Sequence, residues 1–223
     1  GKPFLHIEID EHSADAGAIT RCEAFLDSIE NRKPGPAKAE KVSQKPQPSL
    51  TKKKTVFVPP MADHAWGLAA AFEHSGVSAE VLPESDRDSV DLGMKYVSGK
   101  ECYPCIVTTG DMVKKALSSD FRPEESAFFM PSGTGPCRFG QYNVFHRKVL
   151  EDLGFDNVPV FAPNQDVQFY RDLGVVGKDF VMGAWKGLIA IELLSKCLRE
   201  TRPYEREKGA SEKLYDDYLK RLY

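Results

Sequence analysis

The sequence predicts an α/β protein, a mainly parallel sheet covered by helices on both faces. Three observations carry that expectation. Short β-branched and aromatic runs alternate with stretches of helical periodicity from residue 55 onward. Gly76, Gly99 and Gly154 stand where those helical stretches should stop. The composition, 41% hydrophobic and 28% charged over 223 residues, is that of a chain with a packed core. It excludes a wholly disordered or fibrous chain and allows one large domain or two small ones.

Taken in order, residues 4–9 read as a short strand, and Ser13 is placed to cap a helix. The apolar positions of that helix, Ala18, Ile19, Cys22, Phe25, Leu26 and Ile29, are spaced by three and four and should form one inward face. Glu8, Asp10, Glu11, His12 and Asp15 crowd the turn between strand and helix, as a polar site, a partner-facing rim or a cap with solvated acids. Residues 31–54 hold four Pro and eight Lys or Arg against one acid, Glu40, with no hydrophobic period. That is linker chemistry. The rest of the chain carries 22 basic and 32 acidic residues, a balance that repels nucleic acid.

Beyond the linker, residues 55–58 form a strand stopped by Pro59 and Pro60, and residues 63–74 a helix with Asp63 as its cap. Residues 79–82 make the next strand and 87–97 the next helix. A helical segment runs on from Cys105 to about residue 117, and residues 127–130 are a strand. A Gly-rich turn at 131–136 leads into a helix from about 138 to 153, followed by a strand at 158–161. Residues 180–199 are apolar enough for a buried helix, with Cys197 on its apolar side. The chain closes inside an amphipathic helix bearing Leu214, Tyr215, Tyr218, Leu219 and Leu222. The expected organisation is a strand–helix unit at 1–30 continuing from a missing upstream region, a linker at 31–54, and a Rossmann-like α/β domain at 55–223. Both ends read as cut from a longer polypeptide. No stretch approaches the roughly 20 apolar residues that span a bilayer, and the N-terminus lacks a signal-peptide pattern. A cytoplasmic protein with no membrane association is expected.

Five cysteines are present, and three lie outside the apolar helix faces. Cys102 and Cys105 form a C-x-x-C pair, with Pro104 suited to the first turn of the helix that follows. Cys137 belongs to the loop after the next strand, which also carries Gly133, Gly135, Arg138 and Gly140. In a doubly wound sheet both loops emerge at the same strand ends, so the three thiols can converge. Several chemistries fit. A cubane takes thiolates and needs amide-rich loops around its sulfurs, with helix N-termini facing the anionic cluster. Zinc needs a fourth ligand, for which His64 and His146 are candidates without ligand spacing. A thiol–disulfide pair needs only Cys102 and Cys105. The glycine turn can also hold phosphate, although it matches neither nucleotide-binding glycine signature. Arg138 is placed to offset negative charge on a cluster or a bound anion.

At these residues the sequence resembles a known family. Residues 7–17 (IEIDEHSADAG) and 20–28 (TRCEAFLDS) look like a signature of large CoA-substrate-specific enzyme activase-like proteins. These are related to the 2-hydroxyacyl-CoA dehydratases, their ATP-dependent activators and the double-cubane cluster reductases. Residues 99–105 (GKECYPC), 128–132 (FFMPS) and 135–142 (GPCRFGQY) resemble the same family, and the likeness runs from about residue 3 to 204 apart from the linker. The resemblance implies an anaerobic electron-transfer system in which an ATP-driven activator reduces a partner bearing a 4Fe–4S cluster or a linked double cubane. Cys102, Cys105 and Cys137 stand where the family's cluster cysteines stand, with Gly133, Gly135 and Arg138 beside them. The chain has no nucleotide-binding motif of the activator, so an ATPase is expected elsewhere in the same polypeptide and none in this chain. The expected role is a cluster-bearing electron-acceptor or reductase module, with a CoA thioester or another small molecule as substrate. The alternatives are a zinc-stabilised or purely structural assembly domain and a C-x-x-C redox module.

Overall fold

A computed structural model describes residues 4–7, 15–30, 50–163 and 176–223. The chain forms two compact units, Gly1–Lys45 and Pro46–Tyr223. In the first, α1 (Asp15–Glu30) forms over the expected stretch, but none of its residues is buried. Ile19 and Leu26 are exposed, so the inward face expected of this helix, Cys22 included, is absent. No strand forms at residues 4–7, and the rest of that expected strand lies outside the described residues, as do Ser13 and the acidic turn beside it.

The second unit is α/β and Rossmann-like. Among the described residues its four strands are β1 (Thr55–Val58), β2 (Ala79–Val81), β3 (Ser126–Phe129) and β4 (Val160–Phe161), all parallel in the order β2-β1-β3-β4. Val56 pairs with Ala79 on one side and Ala127 on the other, and Phe128 pairs with Val160. Because side chains alternate across a strand, the sheet builds two cores. Val56, Val58, Ala127 and Phe129 face one layer, together with α2 (His64–His74) and the start of α6 (Gly177–Thr201). Phe57, Phe128 and Val160 face the other, together with α4 (Tyr103–Ala116) and α5 (Tyr142–Asp152). Phe72 of α2 anchors the first core, edge-on to Phe129 at 5.6 Å and 4.6 Å from Phe180. Phe57, Phe121 and Phe128 form an aromatic triangle in the second, with centroids 5.7 to 6.3 Å apart.

Helix packing depends on backbone approach at two places. A Cβ on Gly187 of α6 would lie 2.9 Å from the Cα of Gly67 in α2, so these helices touch backbone to backbone. A Cβ on Gly110 of α4 would lie 1.6 Å from the Ser89 carbonyl oxygen, within α3 (Arg87–Gly93). That second contact seats α4, and with it the C-x-x-C pair. α7 (Ala210–Leu222) packs on α6 through Tyr215, Leu219 and Ile191.

Several boundaries differ from expectation. α3 ends at Gly93 and not near residue 97. The helix expected from 138 begins as a 3-10 turn, Arg138–Gln141, before α5. The structured body also starts earlier than residue 55. Leu50 is buried in the first core, and the Lys54 ammonium donates to the Pro123, Glu124 and Ser126 carbonyls. Residues 31–49 lie outside the described residues. Among the described residues, no helix is long and apolar enough to cross a membrane.

Candidate functional site

Cys102 is the N-cap of α4, and its carbonyl accepts from the Cys105 and Ile106 amides at 2.9 and 3.3 Å. Pro104 falls in the first turn, where its missing N–H costs nothing. Three residues apart on one turn, the two cysteines share a face. They differ in surroundings. Cys105 is buried among Met112, Phe128, Met130 and Tyr142, and that burial pushes its thiol up to about 11. Cys102 is half-buried at the margin of the same core. The chain enters this turn through Gly99, whose φ of 88° needs glycine. Glu101 closes the loop by accepting from the Ser98 amide and hydroxyl and the Lys100 amide at 2.8 to 3.1 Å.

The second loop folds back on itself. A Cβ on Gly140 would lie 2.2 Å from the Gly133 carbonyl oxygen, and Ser132 Oγ donates to the Gly140 carbonyl at 3.1 Å. A Cβ on Gly133 or Gly135 itself would meet nothing within 4 Å, so the loop above them is open. Cys137 is exposed and caps the 3-10 turn that leads into α5. The neighbouring Arg138 guanidinium donates to the Lys100 carbonyl and ties this loop to the one before Cys102.

A second tie between the two loops is Tyr142, the first residue of α5. It is buried, edge-on to Phe139 at 5.3 Å, and its Oη lies 2.7 Å from Cys102 Sγ. Burial and the contact with Cys102 push the phenol well above its usual value. Cys105 and Cys137 are also near enough to push it the same way. Of the three thiols, Cys102 is the one in contact with this hydroxyl. Tyr142 is the residue between these loops that the sequence did not single out. It stood at the end of the GPCRFGQY run, and its signal was a hydroxyl-bearing aromatic opening the helix after a cysteine loop.

The remaining candidates fall elsewhere. His64 pairs with Glu192 at 3.0 Å and belongs to α2, on the opposite face of the sheet from the cysteines. It is no ligand partner for them. His146 lies one turn after Tyr142 in α5, 2% exposed, and burial lowers it to about 3. Its Nε2 is 3.3 Å from Thr108 Oγ1, a hydroxyl that donates to the Pro104 carbonyl at 2.9 Å. His146 is thus a neutral core histidine in a seam between α4 and α5. Cys197 is exposed, contrary to expectation. The buried face of α6 is set by Phe180, Ala184, Gly187 and Ile191, and Cys197 falls outside that series.

In this arrangement of side chains, no three His, Cys, Asp or Glu groups among the described residues are gathered tightly enough to hold a metal ion. The donor chemistry nevertheless fits a cluster. Two thiols stand on the first turn of α4, and the third belongs to an open glycine loop that the Tyr142–Cys102 and Arg138–Lys100 contacts hold beside that turn. Binding requires the exposed Cys137 side chain to turn toward the other two.

A second cleft, of about 260 Å³, lies beside β2 between α3 and α4 and is lined by Glu80, Ser89, Asp111, Lys114 and Lys115. Asp111 is 5% exposed, raised by burial, and accepts from Ser85 Oγ at 2.7 Å. Lys114 and Lys115 are engaged by Asp86 at 2.5 Å and Asp120 at 2.8 Å. Every charge named there has a partner.

No family model, no curated protein and no solved structure matches the chain.

Proposed function

We propose that this chain is a cluster-bearing electron-acceptor or reductase module of a larger ATP-driven system, with Cys102, Cys105 and Cys137 as the cluster ligands. The observation that supports this reading above the others is the joining of the two cysteine loops, Tyr142 to Cys102 and Arg138 to the Lys100 carbonyl, which sets the Cys137 loop beside the Cys102–Cys105 turn. A 4Fe–4S cluster held there, alone or linked to a second cubane, accepts single electrons at low potential and keeps one iron free of cysteine. The protein's part is to supply the thiolates, to shield Cys105 from solvent, and to present the N-terminus of α4 to an anionic group. The system is placed in the cytoplasm. The partner is an ATP-dependent activator, and the substrate class is a CoA thioester or another small molecule bound over the open loop at Gly133 and Gly135. The chain itself hydrolyses no ATP.

Anaerobic purification or reconstitution, followed by iron and sulfide analysis and visible absorption, tests the assignment. About four iron atoms per chain, or eight for a double cubane, with broad thiolate-to-iron bands that bleach on reduction, support it. Stoichiometric zinc with no visible absorption moves the assignment to an assembly domain.

A second reading has one observation of its own. Cys102 is half-exposed at a helix N-terminus, while Cys105, three residues on, is buried with its thiol raised to about 11. That asymmetry suits a dithiol in which the outer sulfur attacks and the inner one resolves. A reversible Cys102–Cys105 disulfide in a protein that takes up no iron, with Cys137 dispensable, favours it.

A further inference from the structure

We infer that Tyr142 is a positioning residue for the cluster, its hydroxyl donating to the Cys102 sulfur and thereby raising the cluster's reduction potential. The inference rests on the cluster reading above and adds a residue and a direction to it. The geometry is specific. Tyr142 Oη and Cys102 Sγ are in direct contact at 2.7 Å, and with the sulfur bound to metal as a thiolate only the phenol would have a proton to give. The ring has little freedom to leave, because it is 5% exposed and packed edge-on against Phe139. Its position on the first turn of α5, five residues after Cys137, means that the third cysteine's loop also fixes where the phenol sits.

The physical consequence follows from charge. Reduction adds an electron to an already anionic cluster, and the added charge spreads onto the thiolate sulfurs. A hydrogen bond donated to one of those sulfurs stabilises the reduced form more than the oxidised form, so the potential rises. Removing the donor lowers it. Among the three thiols, Cys102 is the one in contact with the phenol. Cys105 lies in apolar packing with the Thr109 hydroxyl beside its thiol, but that hydroxyl also donates to the Cys105 carbonyl at 2.6 Å.

The decisive variant is Tyr142→Phe, which deletes one oxygen and keeps the ring. Phe139→Leu serves as a packing control that leaves the hydroxyl in place. Iron content and the midpoint potential of the reconstituted cluster are measured on the wild-type chain and both variants, with electron paramagnetic resonance of the reduced state. The expected result is wild-type iron in Y142F with a midpoint shifted to lower potential, and no such shift in F139L. An iron-loaded Y142F with the wild-type midpoint overturns this inference and leaves the cluster reading standing. Iron loss in Y142F as complete as in a cysteine-to-alanine variant also overturns it, because the phenol would then be a ligand and not a donor to one. A wild-type chain that takes up no iron overturns the cluster reading and this inference together.

Discussion

Tyr215 and Asp63 are joined across 152 residues of sequence, the phenol of α7 donating to the carboxylate that precedes α2 at 2.7 Å. Ser195 of α6 lies 3.0 Å from the same hydroxyl, so one side chain ties three helices together. This also corrects the part expected of Asp63, which makes no side-chain cap and has helical φ and ψ of −55° and −22°. Tyr215→Phe should lower stability by about 1 kcal/mol, because the exposed carboxylate regains water while the hydrogen bond is lost. Urea denaturation with an unchanged slope and a lower midpoint is the expected record. An unchanged midpoint would show that the bond contributes nothing.

Two glycines one turn apart in α6 should respond oppositely to alanine. At Gly187 the new Cβ meets the Gly67 backbone at 2.9 Å, and neither helix has a flexible atom to yield. Gly187→Ala should therefore cost about 1–3 kcal/mol through overpacking. At Gly183 the nearest atom is Ala71 Cβ at 3.6 Å, an ordinary contact. Gly183→Ala should be neutral or stabilising by up to about 1 kcal/mol, the helix-propensity gain. Thermal melts of the pair check both signs, and equal losses would contradict the helix contact described.

The pH dependence of stability should be governed by His146 from pH 6.5 to about 4. Burial holds its folded pKa near 3, below the ordinary 6.5, so the unfolded chain binds the proton first. Its contribution is present above pH 6.5 and is lost as pH falls toward 3, at up to about 1.4 kcal/mol per unit. Asp111 works the other way, since burial raises it and lowering the pH favours its neutral folded form. Asp86 and Asp120, held near 2 by hydrogen bonds from Lys114 and Lys115, lose their pairing only between about pH 4 and 2. Equilibrium unfolding at pH 7, 6 and 5 should show falling stability that His146→Leu flattens. A slope unaltered by H146L would place the titration elsewhere.

Alanine at each cysteine should divide the five into two groups. Cys102→Ala, Cys105→Ala and Cys137→Ala should each lose most bound iron after reconstitution. Cys22→Ala and Cys197→Ala should keep it and change stability by less than about 0.5 kcal/mol, since both thiols are exposed. Cys105→Ala should also cost stability without iron, because Cys105 belongs to the core. Iron loss in C197A equal to that in C102A would refute the ligand set.

The sheet was legible because its strands carry large apolar residues on alternating faces. Val56, Phe57 and Val58, and Ala127, Phe128 and Phe129, serve two cores at once, and a short β-branched or aromatic run is how a strand buried on both faces reads. The stop at Gly76 was equally legible, its φ being 74°. Helical period alone misled where the covering partner is set by tertiary contact. The apolar residues of α1 are spaced for burial and none is buried. In α6, Met182, Trp185, Ile189 and Leu193 form a regular series that faces outward, because the Gly67–Gly187 contact chose the other side. The cysteine loops could be found from spacing. The hydroxyl beside Cys102 was harder to find, since its one local sign, an aromatic opening the helix after a cysteine loop, is shared by tyrosines that only pack.

The unequal depth of the three thiols sets an order of chemical wear. Oxidants reach sulfur according to its exposure and its thiolate character. Cys137 lies at the surface, Cys102 is half covered and shares its sulfur with a phenol, and Cys105 is buried with its proton held tightly. In air the site should age from the outside inward, with sulfenic and sulfinic acids accumulating at Cys137 while Cys105 stays reduced.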